Sequence, residues 1–195
     1  MIASPELLAA LEAAVSDTVG PFHLQRITPA PGGCIHRCFI LDGGGSKYFA
    51  KTNDRPQLDN FAAEADGLAA LAAAGARVPA PLCRGETRDE AFLVLEHLDL
   101  RTNGNYTALG RSLANLHSVQ GEFFGWHRDN YIGRTPQINR LSPSWSDFWR
   151  DSRLVPQLEL SRKNGLGTTL LRQGEQLVEA LPDLLSGKAP AASLL

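Results

Sequence analysis

The 195-residue sequence predicts an α+β chain, with a small antiparallel sheet and one helix in its first half and a helical second half. Three observations lead there. Short strand-like runs between His23 and Thr52 are joined by two glycine turns. An alanine-rich stretch from Asp59 follows, with its larger apolar residues at helical spacing. From Tyr106 onward the apolar residues recur in helix periods separated by one aromatic, glycine-containing loop.

The elements follow in order. Ser4 caps a first helix, Pro5 takes its first position, and Leu7, Leu8, Leu11 and Val15 recur at helical spacing until Gly20-Pro21. His23 to Thr28 is a strand. Pro29-Ala30-Pro31-Gly32-Gly33-Cys34 is a tight turn, Arg37 to Leu41 a second strand, Asp42 to Ser46 a hairpin turn and Lys47 to Thr52 a third strand. In the helix after Asp59-Asn60, Phe61, Ala65, Leu68 and Leu71 share a side, and Gly75 stops it. Val78-Pro79-Ala80-Pro81 is extended, Leu82 to Gly85 starts a fourth strand, and Ala91 to Leu95 is a buried fifth. Tyr106 to His117 is a helix with Leu109, Leu113 and Leu116 on one face. Helices then start at Ser144 and near Thr168, the second running to Leu185.

Composition excludes several classes. Hydrophobic residues make up 43% and charged residues 21%, as in ordinary globular proteins. A net charge of −2 provides no strong attraction to nucleic acid or to an anionic membrane. No apolar run approaches the roughly 20 residues of a membrane span. Met1 to Glu6 has no signal-peptide pattern. Cys34, Cys38 and Cys83 form neither a disulfide framework nor a metal-ligand spacing. The expectation is a cytoplasmic protein with reduced thiols and no nucleic-acid or membrane partner.

Chemistry enters at Tyr48-Phe49-Ala50-Lys51, a strand ending in lysine, and Phe61-Ala62-Ala63-Glu64, the opening of the next helix. Kinase-type enzymes hold ATP phosphates with such a strand lysine, directed by a glutamate from the following helix. Alone, the pair reads as surface charge on a strand end and a helix, and the rest of the chain decides. Gly32 and Gly33, one hairpin earlier, fit a loop whose backbone amides approach phosphate. Glu96, His97 and Leu98 follow the buried fifth strand, where a chain passing between two lobes offers backbone groups to an adenine. This divides the chain into a nucleotide-binding lobe, residues 1–96, and a helical lobe, residues 97–195.

The pattern resembles the fructosamine kinase (ketosamine-3-kinase) family along nearly the whole chain. The matching segments include Gly32-Gly33-Cys34-Ile35, Tyr48 to Asn53, Phe61 to Ala65, Leu95-Glu96-His97-Leu98, Leu116-His117, Phe124-Gly125-Trp126, Thr135-Pro136-Gln137 and Trp145 to Trp149. The resemblance implies a protein-kinase-like fold and ATP- and Mg2+-dependent phosphorylation of the sugar of ketosamines, either small molecules or glycated proteins. It implies that Lys51 contacts the nucleotide phosphates, Glu64 pairs with it, and Glu96, His97 and Leu98 face the adenine through their backbone.

One departure is large. The family's catalytic loop, His-Gly-Asp-Leu-Trp-x-x-Asn, follows a segment like Pro190 to Leu195 and does not occur in these residues. The catalytic aspartate and the metal ligands are therefore expected beyond Leu195, the helical lobe is expected to be truncated, and turnover is not expected from these residues alone. His127-Arg128-Asp129 copies a protein-kinase triplet, but Arg134 stands where that pattern needs asparagine. Asp147-Phe148-Trp149 likewise lacks the glycine of Asp-Phe-Gly. Cys34, inside the glycine turn, is a candidate redox site and could link two copies through a disulfide. The alternatives are a non-catalytic nucleotide-binding or dimerising fragment, and another small-molecule kinase of the choline or aminoglycoside type.

Overall fold

The structure is a computed structural model that describes residues 3–31, 35–101, 103–187 and 190–194. The chain forms two compact units, Met1–Leu113 and Ala114–Leu195.

The first unit is built on a five-stranded antiparallel sheet of order β1-β2-β3-β5-β4. The strands are β1 (Arg26–Pro29), β2 (Arg37–Gly43), β3 (Ser46–Asp54), β4 (Pro81–Glu86) and β5 (Glu90–Glu96). Helix α1 (Pro5–Val19) precedes the sheet, and α2 (Leu58–Ala73) lies between β3 and β4. Alternation along each strand sends successive side chains to opposite faces. Phe39, Leu41, Ala50, Phe92 and Val94 join Leu7, Leu11 and Val15 of α1 in one core. Leu93, Leu95 and Phe49 join Phe61, Ala65 and Leu68 of α2 in the other. The sheet is thus covered on both sides, and burying a ring such as Phe61 contributes about 2–3 kcal/mol.

Local chemistry sets the ends of these elements. The Ser4 hydroxyl accepts from the Leu7 N–H at 3.2 Å as the N-cap of α1. It also donates to Glu90 at 2.8 Å, and the second Glu90 oxygen takes Arg37 at 2.5 Å. The start of α1, β2 and β5 therefore meet at one carboxylate. The β2–β3 hairpin turns through Gly44 (φ 60°) and Gly45 (φ 83°), the left-handed pair that a two-residue turn of this hand requires. Helix α2 stops at Gly75 (φ 85°), with the Ala76 N–H bonded back to the Leu71 carbonyl at 3.0 Å.

Helix α3 (Tyr106–His117) spans the division between the units. Of its leucine stripe only Leu116 is buried, while Leu109 is 63% and Leu113 48% exposed. The second unit contains β6 (Gln120–Gly121), β7 (Asn130–Ile132), β8 (Thr135–Gln137), α4 (Trp145–Trp149), α5 (Val155–Lys163), α6 (Thr168–Leu184) and β9 (Ala192–Ser193). β7 pairs with β8 and β6 with β9, both antiparallel.

The helix expected from Ser144 is interrupted. Ser144 caps α4, but residues Arg150–Leu154 form a π turn before α5. Pro156 supplies the reason: it has no N–H for the Ser152 carbonyl one turn back. That carbonyl accepts instead from Arg153 at 2.8 Å. The Arg153 guanidinium also lies 4.6 Å from the centre of the Phe148 ring. Trp145 joins this cluster, 5.1 Å from Phe124 and 6.0 Å from Phe148 between ring centres. Among the described residues no helix is long and apolar enough to cross a membrane.

Candidate functional site

Lys51 sits on β3, the central strand, which is hydrogen-bonded on both sides. Its cross-strand partners are Cys38 on β2 and Leu93 on β5. The alternation that sends Ala50 to the α1 side sends Phe49, Lys51 and Asn53 to the α2 side. On α2, Phe61 is fully buried against the sheet, and Glu64 follows it by three residues on the same helical side. The outcome is a contact of 2.5 Å between Lys51 Nζ and Glu64 Oε1. The two side chains remain 25% and 24% exposed. An ammonium has three donors, and the Glu64 contact uses one. A positive charge with a fixed direction, still reachable from solvent, is suited to an anionic oxygen such as that of a phosphate.

Cys38 lies beside this pair, buried, its thiol directed to the His36 carbonyl at 3.8 Å. Burial pushes its pKa up, Lys51 opposes this and Glu64 adds to it. The thiol therefore stays protonated and is a poor nucleophile.

The end of β5 is organised around Glu96. Its carboxylate takes two bonds from Arg77, at 2.5 and 2.8 Å, and one from the Ala80 N–H at 3.3 Å. Arg77, then Ala80, holds the Glu96 carboxyl below the usual carboxylate range. The Glu96 N–H is bonded to the Ala80 carbonyl at 2.8 Å. Its side chain and N–H thus serve the junction between β4 and β5. His97 and Leu98 follow outside the strand, half-buried. Gly32, Gly33 and Cys34 lie outside the described residues.

The structure brings Lys51 and Glu64 together as the sequence pattern expects. It also shows residues that the pattern did not single out. The buried Asn53 side chain donates to the Ile35 carbonyl at 3.0 Å and lies 3.0 Å from His36 Nδ1. The His36 ring centre is 4.7 Å from that of Phe61. Arg77 was likewise unmarked. In sequence, the one available signal for Asn53 was a polar residue at a core-facing strand position.

The kinase-like triplet of the second unit has a different setting. Asp129 accepts from the Asn139 N–H at 2.8 Å, and the Asn139 side chain bonds the Arg128 carbonyl, Asn130 and Arg153. Burial draws the Arg153 pKa down, and Asp129 opposes this. These groups pin the loop around β7 and β8. Asp147 is engaged by Arg150 at 2.9 Å in the first turn of α4. Among the described residues no group of three His, Cys, Asp or Glu side chains is placed to hold a metal ion.

Comparison with known proteins agrees with this architecture. The family model described as fructosamine kinase matches residues 8–195. A protein from Synechocystis sp. named “probable ketoamine kinase” is 43% identical over 155 residues, covering 76% of this chain and 52% of that protein. A protein-ribulosamine 3-kinase of rice (Oryza sativa subsp. indica) is 34% identical over 171 residues, covering 84% of this chain and 49% of its own. A crystal structure of a protein assigned as a fructosamine-3-kinase, from Haemophilus somnus 129PT, superposes with a TM-score of 0.83 at 26% identity, over 94% of this chain and 63% of that one. The chain spans about half the length of these curated relatives. Its sheet order, helix α2 between β3 and β4 and the contact of Lys51 on β3 with Glu64 on α2 form a protein-kinase-like fold, and the chain belongs to the fructosamine kinase family.

Proposed function

We propose that this chain is the nucleotide-holding part of an ATP-dependent ketosamine kinase, which phosphorylates the sugar of ketosamines on small amines or glycated proteins. The observation that carries the reading is the 2.5 Å contact between Lys51 Nζ and Glu64 Oε1 in the first unit. Lys51 offers its remaining donors to the phosphate oxygens, and Glu64 sets its direction. Gly32 and Gly33 lie outside the described residues and keep only the phosphate-loop assignment read from the sequence pattern. Glu96, His97 and Leu98 face the adenine through main-chain groups. The commitment of the Glu96 carboxylate to Arg77 supports a backbone role there.

Phosphoryl transfer of this class also uses Mg2+, which shields the phosphate charge. By the resemblance, the residues that would hold it belong to the catalytic-loop pattern and the segment after it, and that pattern does not occur in the sequence. We therefore assign nucleotide binding, and no turnover of their own, to these 195 residues.

The test is calorimetric titration of the chain with ATP, beside Lys51→Ala. Losing a charge-assisted contact weakens ATP binding about tenfold or more. Equal binding by the variant would sink the placement of Lys51, and a chain that binds no ATP would overturn the nucleotide reading. Phosphate transfer to a ketosamine by the chain alone would refute the assignment of binding without turnover.

A further inference from the structure

We infer that His36, clamped between Asn53 and Phe61, is a positioning residue that sets the approach of Glu64 to Lys51. The inference rests on the nucleotide reading and extends it to residues with no assigned role.

The geometry is closed at every step. The Asn53 side-chain oxygen accepts from the Asp54 N–H at 2.8 Å, which fixes which end of the amide faces which way. Its NH2 group therefore points to the Ile35 carbonyl and to His36 Nδ1, each at 3.0 Å. A carbonyl only accepts, so both amide hydrogens have a destination, and His36 Nδ1 is the acceptor of the second. The imidazole so held lies against the Phe61 ring, at 4.7 Å between centres and 42° between planes. Phe61 anchors α2 on the sheet and carries Glu64 one turn later.

Asn53 and Lys51 are alternate residues of one strand, on one face. Phe61 and Glu64 are neighbours on one side of one helix. His36 therefore bridges the strand that bears the lysine and the helix that bears the glutamate. A structural role alone accounts for the amide hydrogen given to the Ile35 carbonyl and for the Asp54 N–H taken by the oxygen. It does not account for the second amide hydrogen, which this 8% exposed side chain gives to a histidine where an apolar ring would fill the space against Phe61 at lower desolvation cost. That choice is explained if the ring must hold one orientation, because Glu64 directs Lys51 only over a narrow range of helix positions.

The experiment compares ATP and adenosine binding by calorimetry in the wild-type chain, Asn53→Leu and His36→Phe. Asn53→Leu keeps roughly the volume and removes the donors without adding a charge beside Lys51. His36→Phe keeps a ring against Phe61 and removes the acceptor. Each variant is checked for folding by circular dichroism. The expected result is ATP binding weakened about fivefold to tenfold with adenosine affinity within about twofold of wild type, because only the phosphate-directed contact is displaced. Unchanged ATP affinity in a folded variant overturns the inference. So does a parallel loss of ATP and adenosine, or failure of both variants to fold, since either marks a purely structural clamp. Wild type that binds adenosine and ATP equally overturns instead the phosphate role of Lys51, and the positioning role with it.

Discussion

Lys51 and Glu64 meet at 2.5 Å although each side chain is about a quarter exposed. A pair in that setting is weakly stabilising, because solvent screens it and two flexible side chains must be ordered. Glu64→Gln keeps the shape and removes the charge. We expect it to cost less than about 1 kcal/mol of stability while weakening ATP binding severalfold. Denaturant unfolding beside calorimetry separates the two effects. A large stability loss with unchanged ATP binding would make the pair architectural.

Thr52, next to Lys51 on the opposite face of β3, is fully buried, and its hydroxyl has no hydrogen-bond partner among the described residues. Burying an unsatisfied hydroxyl costs about 1–3 kcal/mol. Thr52→Val replaces that hydroxyl with a methyl group in the core that receives α1. We expect a gain of about 1 kcal/mol, read as a higher melting temperature. A lower one would show that the hydroxyl is satisfied in solution.

Gly125 adopts φ 109°, and a Cβ there would lie 2.6 Å from the Arg140 carbonyl oxygen and 2.7 Å from that of Asn139. Those atoms are backbone and cannot swing aside. Gly125→Ala is expected to destabilise the second unit by about 2 kcal/mol or more. The Trp126 N–H bond to the Asn139 carbonyl at 2.9 Å should loosen with it. Hydrogen exchange at Trp126 reads the change, and wild-type protection in the variant would contradict it.

Among the described residues, five carboxyls are held below their ordinary values. Glu12 is held chiefly by the Leu24 N–H, Asp42 by Arg26, Glu86 by Arg55, Glu96 by Arg77 and Asp151 by Arg150. The folded state then binds fewer protons than the unfolded chain in the acid range. Stability from such groups is fully present above the ordinary carboxylate value of about pH 4 and is lost as pH falls through the folded values. The melting temperature should stay level from near neutral to about pH 5 and drop below about pH 4. A profile still level at about pH 3 would show that these contacts are absent in solution.

Much of the first unit was legible because its signals are local. Ser4-Pro5 marks a helix start, Gly43-Gly44-Gly45 a hairpin and Gly75 a helix stop, and each needs only its neighbours in sequence. The π turn at Arg150–Leu154 was not legible, because it depends on how the backbone answers Pro156 together with Arg153. The exposure of Leu109 and Leu113 was hidden as well, since a leucine stripe shows which residues share a side and says nothing of what covers it.

By itself the sequence determined the order and kind of the main elements, the spacing of Lys51 and Glu64, and the resemblance to a kinase family. Tertiary structure alone decided that α1 covers one face of the sheet and α2 the other, and that Cys38 and Leu93 flank Lys51. It also set His36 between Asn53 and Phe61. The physical reason is that strand alternation sorts side chains into two faces without saying which helix each face will meet. That choice rests on the summed packing of residues far apart in the chain, and no local pattern records it.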